Sequence, residues 1–187
     1  MSKLIPIAFA FDKNLAFPAS VCISSLLMNA DETTFYDIFI IQSKNEVLDK
    51  PGFELLTKTH TNCRIQFRTV DDIFVHAFEV RGITTPTYYR LLIPELIPEY
   101  NKIIYSDVDM IFRMDLSDIY DVDLDGFYLA GTYDIDMNVS EKGIKHINMT
   151  SGLIQGEYIQ AGLIVLNTGK MREDSLQSKL VDLAKNE

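Results

Sequence analysis

The apolar positions of this chain fall in short blocks separated by stretches with helical spacing. Leu4–Phe11 is a continuous apolar run, the pattern of a strand buried on both faces, and Asp12-Lys13-Asn14 ends it with a polar turn. Pro18 opens a predicted helix through about Met28, with Cys22 and Leu26 sharing a face. Asp37–Gln42 predicts a second strand, Gly52–Thr59 a helix after Pro51, and Cys63–Val70 a third strand with Ile65 and Phe67 on one side. Thr87–Leu96 predicts a helix between Pro86 and Pro98, Lys102–Tyr105 a fourth strand, Leu116–Tyr120 a helical turn and Tyr128–Thr132 a short strand. Ile135–Glu157 is polar, weakly periodic and carries Gly143, Gly152 and Gly156, which predicts a long loop or lid. Ile159–Leu166 returns as a strand and Met171–Lys185 as a helix. Strands alternating with helices in this way predict an α/β fold.

The length of 187 residues suits one domain, or part of one, and 47% hydrophobic residues supply a sizeable core, which excludes wholesale disorder. Asp and Glu number 27 against 17 Lys and Arg, a formal net charge of −10 that argues against a nucleic-acid partner. The acid is free to serve a cation or simply to solubilise the chain. Cys22 and Cys63 are too few for a disulfide framework and fit a reducing, cytoplasmic setting. The first apolar run has only Lys3 before it and no small-residue cleavage site after it, so it reads neither as a signal peptide nor as a transmembrane segment. Without an export signal, the N-x-S/T sequons at Asn138 and Asn148 carry no weight.

Candidate chemistry concentrates at strand ends. Asp107-Val108-Asp109 follows the K-I-I-Y strand directly. In extended backbone two carboxylates one residue apart point to the same side, and like charges so close call for a cation. A hard divalent ion, Mn²⁺ or Mg²⁺, is the natural partner, with open positions left for phosphate oxygens. The same spacing recurs at Asp121/Asp123, Asp123/Asp125 and Asp134/Asp136, so the motif alone is also consistent with chance in an acidic chain. Position separates them: the 121–125 acids follow a helical turn and read as a solvated loop. Three further blocks carry weaker signals. Ala10-Phe11-Asp12-Lys13-Asn14 offers an acid and an amide for a base or ribose, or a simple Asx turn. Thr87-Tyr88-Tyr89-Arg90 offers a guanidinium to phosphate or sugar, or a surface ion pair. Tyr158-Ile159-Gln160-Ala161-Gly162 has the small residues that let a ligand approach backbone, or that pack tightly on a neighbouring strand.

In this order the four blocks resemble glycosyltransferase family 8, which includes bacterial lipopolysaccharide galactosyl- and glucosyltransferases and the glycogenins. The likeness runs from about residue 4 to 172, through I-P-I-A-F-A-F-D-K-N, T-Y-Y-R-L-L-I-P-E-L-I-P-E-Y-N-K-I-I-Y-S-D-V-D-M-I-F, D-L-S-D-I-Y-D-V-D-L and Y-I-Q-A-G-L-I-V-L-N. It implies a GT-A fold, a Rossmann-like α/β domain on a mainly parallel sheet, and a retaining transferase that uses a UDP-hexose and Mn²⁺. It implies Asp107 and Asp109 as metal ligands, with Asp107 also at the ribose. Ala10, Asp12 and Asn14 would hold the uridine, and Arg90, Asp134, Gln160, Ala161 and Gly162 would face the donor sugar. The implied acceptor is a glycan or lipopolysaccharide.

The sequence departs from the family at three points. Gln160 stands where Asn is common, Leu15 where an aromatic is frequent, and the third metal ligand, a His, belongs to a C-terminal segment beyond Glu187. The residues that approach the reacting sugar carbon lie downstream too, and His60, His76 and His146 read as surface or packing histidines. The chain therefore reads as a single domain incomplete at its C-terminus, expected to bind donor weakly and turn over slowly. Apolar surface left open in that way would favour a homodimer. In this family basic C-terminal segments commonly give peripheral attachment to the inner membrane. Two rival readings remain: a phosphohydrolase of the haloacid dehalogenase type, whose Asp-x-Asp supplies a nucleophile and a general acid, and a nucleotide-sugar-binding module without catalysis.

Overall fold

The computed structural model describes residues 2–46, 50–71, 73–74, 84–149 and 152–186; His76 lies outside them. Six strands form one sheet: β1 (Lys3–Ala10), β2 (Thr34–Ser43), β3 (Cys63–Val70), β4 (Ile103–Ser106), β5 (Leu129–Tyr133) and β6 (Ile159–Leu166). Their order is β3-β2-β1-β4-β6-β5. The β1–β2, β2–β3 and β1–β4 pairs are parallel, whereas β6 runs antiparallel to both β4 and β5.

The helices are α1 (Ala16–Met28), α2 (Lys50–Thr59), α3 (Thr85–Tyr88), α4 (Ile93–Leu96), α5 (Ser117–Tyr120), α6 (Ile135–Val139), α7 (Glu141–Met149), α8 (Thr168–Glu173) and α9 (Leu176–Asn186). They cover both faces of the sheet. Ile5, Ile7, Phe9 and Phe11 pack with Ile38 and Ile40 against Cys22, Ile23 and Leu26 of α1 and Phe53 of α2. On the opposite face Ala8, Ala10, Phe39 and Ile41 pack with Tyr89, Leu92, Ile93, Tyr105 and Met171. Alternate residues of β1 and β2 thus enter two different cores, which is why these strands read as unbroken apolar runs.

Three predicted elements differ. The helix expected over Thr87–Leu96 is three pieces: α3, a 3₁₀ turn over Tyr89–Leu92, and α4. Pro94 lacks the N–H that a continuous helix would use and sits instead in the first turn of α4. The helix expected over Met171–Lys185 breaks into α8 and α9 around Ser175, a non-glycine residue with φ of 52°. The expected loop over Ile135–Glu157 contains α6 and α7. Asp134 caps α6 by accepting a hydrogen bond from the Met137 N–H at 2.9 Å, and the Ser140 hydroxyl accepts one from the Gly143 N–H at 3.0 Å. The apolar stripe of α7 is narrow, with only Gly143 and Ile147 buried, so helical periodicity is faint in the sequence. Gly143 packs directly on the α6 backbone, where a Cβ would collide with the Met137 and Asp136 carbonyls. Asn138 is buried, donating to the Asp134 and Tyr158 carbonyls and accepting from the Gly156 and Tyr158 N–H groups, so this sequon is a structural knot.

One local irregularity shapes the site. Gly131 pairs with Ile164, but the next residue, Thr132, pairs with Gln160. Ala161, Gly162 and Leu163 therefore fall outside the β5 ladder and bulge, while Leu163 still pairs with Ser106 of β4.

Candidate functional site

Strand order reverses between β1 and β4: β2 and β3 lie on one side of that seam, β6 and β5 on the other. In open α/β sheets the crevice at such a switch point, beyond the carboxyl ends of the strands, is where ligands bind. Here those ends carry Ala10-Phe11-Asp12 on β1 and Asp107-Val108-Asp109 on β4. A cavity of about 300 Å³ opens between them, lined by Ala10, Asp12, Leu15, Thr84, Thr87, Arg90, Tyr105, Asp107 and Asp109 among others. A second cavity lies on the far side of the same two carboxylates, lined also by Met110, Thr132, Gln160, Gly162 and Leu163. Asp107 and Asp109 form the ridge that both share.

Backbone alternation puts the carboxylates there. Val108 is buried in the α1-side core while Asp109 is exposed, so the residues flanking Val108 turn outward together. The Asp107 N–H donates to the Gly162 carbonyl at 2.8 Å, which ties the end of β4 to the β6 bulge. Its Oδ1 accepts the Tyr105 hydroxyl at 2.8 Å and Arg90 Nη2 at 3.0 Å. Burial raises the Tyr105 phenol above its usual range; Arg90 opposes that and Asp107 adds to it, so the group stays a proton donor.

Arg90 reaches across the seam. Its Nε donates to the Thr87 carbonyl at 2.9 Å, its Nη1 to the Ala161 carbonyl at 2.7 Å, and its guanidinium lies 4.3 Å from the centre of the Tyr105 ring. The three sequence blocks that contain Arg90, Asp107 and Ala161 are joined by this one side chain.

The fit to a divalent cation rests on two features. Asp107 Oδ1 is committed, whereas Oδ2 accepts no hydrogen bond among the described residues; a Cβ at Gly162 would crowd it, lying 3.0 Å from Oδ2 and 2.8 Å from Gln160 Oε1. Asp109 is exposed and makes no hydrogen bond among the described residues. Two carboxylates with free oxygens suit a hard cation that takes its remaining ligands from phosphate and water. Among the described residues no group of three or more His, Cys, Asp or Glu side chains comes together to complete a metal cage.

The remaining predicted residues divide. Ala10 and Asp12 line the first cavity, although the Asp12 carboxylate also accepts from the Asn14 and Leu15 N–H groups and so caps the turn before α1. Asn14 is not part of the lining; its side-chain amide lies 3.2 Å from Asp12 Oδ2. Gln160 and Gly162 line the second cavity, and the Gln160 side chain folds back to accept from the Gly162 N–H. Asp134 lines neither cavity, its carboxylate being used to cap α6. The acids at 121, 123 and 125 are exposed, as expected of a solvated loop. Tyr105 and Thr132 were not singled out from sequence. Tyr105 sits two residues before Asp107 on the same side of β4, a relation that strand periodicity contains; Thr132 carries no such signal.

A three-layer α/β domain with a carboxylate pair at the switch point of its sheet, and an antiparallel strand carrying a small-residue bulge beside that pair, has the GT-A architecture of nucleotide-sugar-dependent glycosyltransferases. The chain belongs to glycosyl transferase family 8, whose profile matches residues 6–187. It is 26% identical over 183 residues to General stress protein A of Bacillus subtilis, covering 96% of this chain and 62% of that protein. Among solved structures, the apo bifunctional glycosyltransferase WbbM superposes with a TM-score of 0.76 at 28% identity, covering 100% of this chain and 35% of WbbM. The galactosyltransferase LgtC, solved with donor and acceptor sugar analogs, superposes with a TM-score of 0.75 at 24% identity over 97% of this chain and 66% of LgtC, a likeness of fold. The chain thus spans less than two thirds of each. No helix among the described residues is long and apolar enough to cross a membrane.

Proposed function

We propose that this chain carries the donor site of a retaining hexosyltransferase. It would move glucose or galactose from a UDP-sugar to a glycan or lipopolysaccharide-type acceptor, with Mn²⁺ or Mg²⁺ held by Asp107 and Asp109. The observation that carries the reading is the position of this carboxylate pair on the ridge between two cavities at the β1/β4 switch point. The first cavity, with Ala10, Asp12 and Thr87, is on the side of the nucleoside; the second, with Gln160 and Gly162, is on the side of the sugar. The diphosphate would bridge them over Asp107 and Asp109.

When bound, the cation acts as a Lewis acid on the departing diphosphate. The chain's own residues do the positioning. Tyr105 and Arg90 fix one oxygen of Asp107, which leaves its other oxygen for the cation, with no Cβ at Gly162 to crowd it. Arg90 adds a fixed positive charge beside the diphosphate and holds the Ala161 carbonyl, which keeps the sugar-side bulge in place. A dehalogenase-type phosphohydrolase would attack with the first carboxylate of the pair, and that is the group already bound by Tyr105 and Arg90.

Calorimetric titration of UDP with and without Mn²⁺ tests the reading. Saturable binding that requires or is strengthened by Mn²⁺, and that is lost in Asp109→Ala, is the expected result. Because the Asp109 side chain makes no hydrogen bond among the described residues, that variant should keep its melting temperature. Mn²⁺-independent binding that Asp109→Ala leaves unchanged would refute the assignment.

A further inference from the structure

The segment that carries the carboxylate pair has no sheet to hold it. Beyond Asp107, whose N–H reaches the Gly162 carbonyl, no backbone–backbone hydrogen bond ties Val108–Asp115 among the described residues. Yet the segment is ordered in an alternating pattern, with Val108 and Phe112 buried and Asp109 and Ile111 exposed. The Ser106 hydroxyl donates to the Asp107 carbonyl at 2.8 Å. Among the described residues the remaining polar side-chain anchors of the segment's main chain come from one face of α1 and its C-cap, Asn29. The Cys22 thiol points to the Asp107 carbonyl at 3.9 Å, the Ser25 hydroxyl accepts the Phe112 N–H at 3.0 Å, and the Asn29 amide donates to the Phe112 carbonyl at 3.2 Å. These residues stand at i, i+3 and i+7, one stripe of the helix. Ser25 also donates to the Cys22 carbonyl at 2.7 Å, so its hydroxyl is satisfied on both sides and bridges helix and segment.

We infer that Ser25 and Asn29 are positioning residues for the metal site: by fixing both main-chain groups of Phe112 they set where Asp109 stands relative to Asp107. Neither belongs to the buried face of α1, which is Ala19, Cys22, Ile23, Leu26 and Leu27; Ser25 is half-buried and Asn29 is exposed at the C-cap. What the pair adds is a fixed path for a strand-like segment that has no strand partner. The first turn of the same helix follows the Asp12–Leu15 turn that lines the nucleoside-side cavity. One rigid element thereby spaces the nucleoside contact from the carboxylates.

The inference rests on the donor-site reading, and its test separates the two. Ser25→Ala, Asn29→Ala and Ser25→Thr are compared with the unaltered protein by amide hydrogen exchange and by UDP titration with and without Mn²⁺. Ser25→Ala should speed exchange of the Phe112 amide at least tenfold without speeding that of α1. Both alanine variants should reduce the Mn²⁺-dependent gain in UDP affinity at least fivefold, with metal-free UDP affinity changed less than twofold. Ser25→Thr, which keeps the hydroxyl, should restore both. An unchanged Mn²⁺ gain in the alanine variants, or an equal fall in metal-free binding, would overturn the positioning role while leaving the donor site intact. Absence of any Mn²⁺ gain in the unaltered protein would remove the donor-site reading and this inference together.

Discussion

Gly162→Ala separates the site from the fold at a single position. Gly162 does not adopt a positive φ, so alanine is compatible with its backbone. Gly→Ala at a compatible site contributes roughly 0.4–1 kcal/mol through the unfolded chain. Against this, the new methyl would stand 2.8 Å from Gln160 Oε1 and 3.0 Å from Asp107 Oδ2. The Gln160 amide ends an exposed, flexible side chain and swings away, giving up one hydrogen bond worth about 1 kcal/mol. Net stability therefore changes by no more than about 1 kcal/mol. Asp107 has no such freedom, since moving its carboxylate strains the bonds from Tyr105 and Arg90, and bonds to a charged group are worth about 1.5–3 kcal/mol each. The carboxylate therefore keeps its place, and the new methyl crowds Oδ2, the oxygen proposed to face the cation. At about 1.4 kcal/mol per factor of ten, Mn²⁺-dependent UDP binding should weaken about 10- to 100-fold. Calorimetry and thermal melting read the two effects independently. Binding equal to that of the unaltered protein would refute the reasoning, and so would a large fall in melting temperature.

Other residues make separate predictions. Arg90→Ala should lower Mn²⁺-dependent UDP-hexose turnover or hydrolysis by about 10- to 100-fold, because it removes charge-assisted bonds to Asp107 and the Ala161 carbonyl; Arg90→Lys should recover little, lacking the planar fork that joins them. Asp37 is fully buried on β2, where burial disfavours its charge but bonds from Arg64, Tyr100 and Gln66 outweigh that and hold its carboxyl below the usual range. The native state thus keeps it ionised where the unfolded chain protonates it, so its stabilisation is complete above about pH 4 and is lost as pH falls through the lower folded value; urea denaturation should show that acid slope reduced in Asp37→Asn. Burial pushes the Cys22 thiol up to about 12, so a thiol reagent at neutral pH should leave Cys22 unmodified until denaturant is added, and rapid native-state labelling at Cys22 would contradict the packing described.

The strands were legible as apolar runs bounded by turn signals, although β2, buried on both faces, extends the expected Asp37–Gln42 to Thr34–Ser43. Cys63–Val70 and Ile159–Leu166 match the structure residue for residue, and β1 differs only by one residue at each end. The place of Asp107 and Asp109 just beyond β4 was legible because they follow the K-I-I-Y strand directly, whereas the same motif at 121–125 follows a helical turn. What sequence withheld depends on contacts between distant segments. Arg90 gains its place from two partners, Asp107 and Ala161, on different strands. The capping bond that Asp134 accepts from the Met137 N–H depends on where α6 begins, which the sequence pattern did not announce. The α6–α7 segment hid because its buried positions are Asn138, Gly143 and Ile147, and a single large apolar residue among them does not imprint a period. Ser175 stops a helix in a conformation that its residue type does not announce.

The bulge in β6 means that this strand is counted twice, in two independent registers. Leu163–Leu166 are held by β4 and define the core, whereas Ile159 and Gln160 are held by the far end of β5. Between these two anchors, the two residues nearest Asp107 and Arg90, Ala161 and Gly162, belong to neither β5 register. Length or composition can change there without sliding Ile164, Val165 or Leu166 to the wrong face of the sheet. The chain therefore keeps, beside the carboxylate pair, a short interval whose residues are decoupled from those that make it fold. Substitutions at 161 and 162 should alter what is bound long before they alter whether the protein assembles.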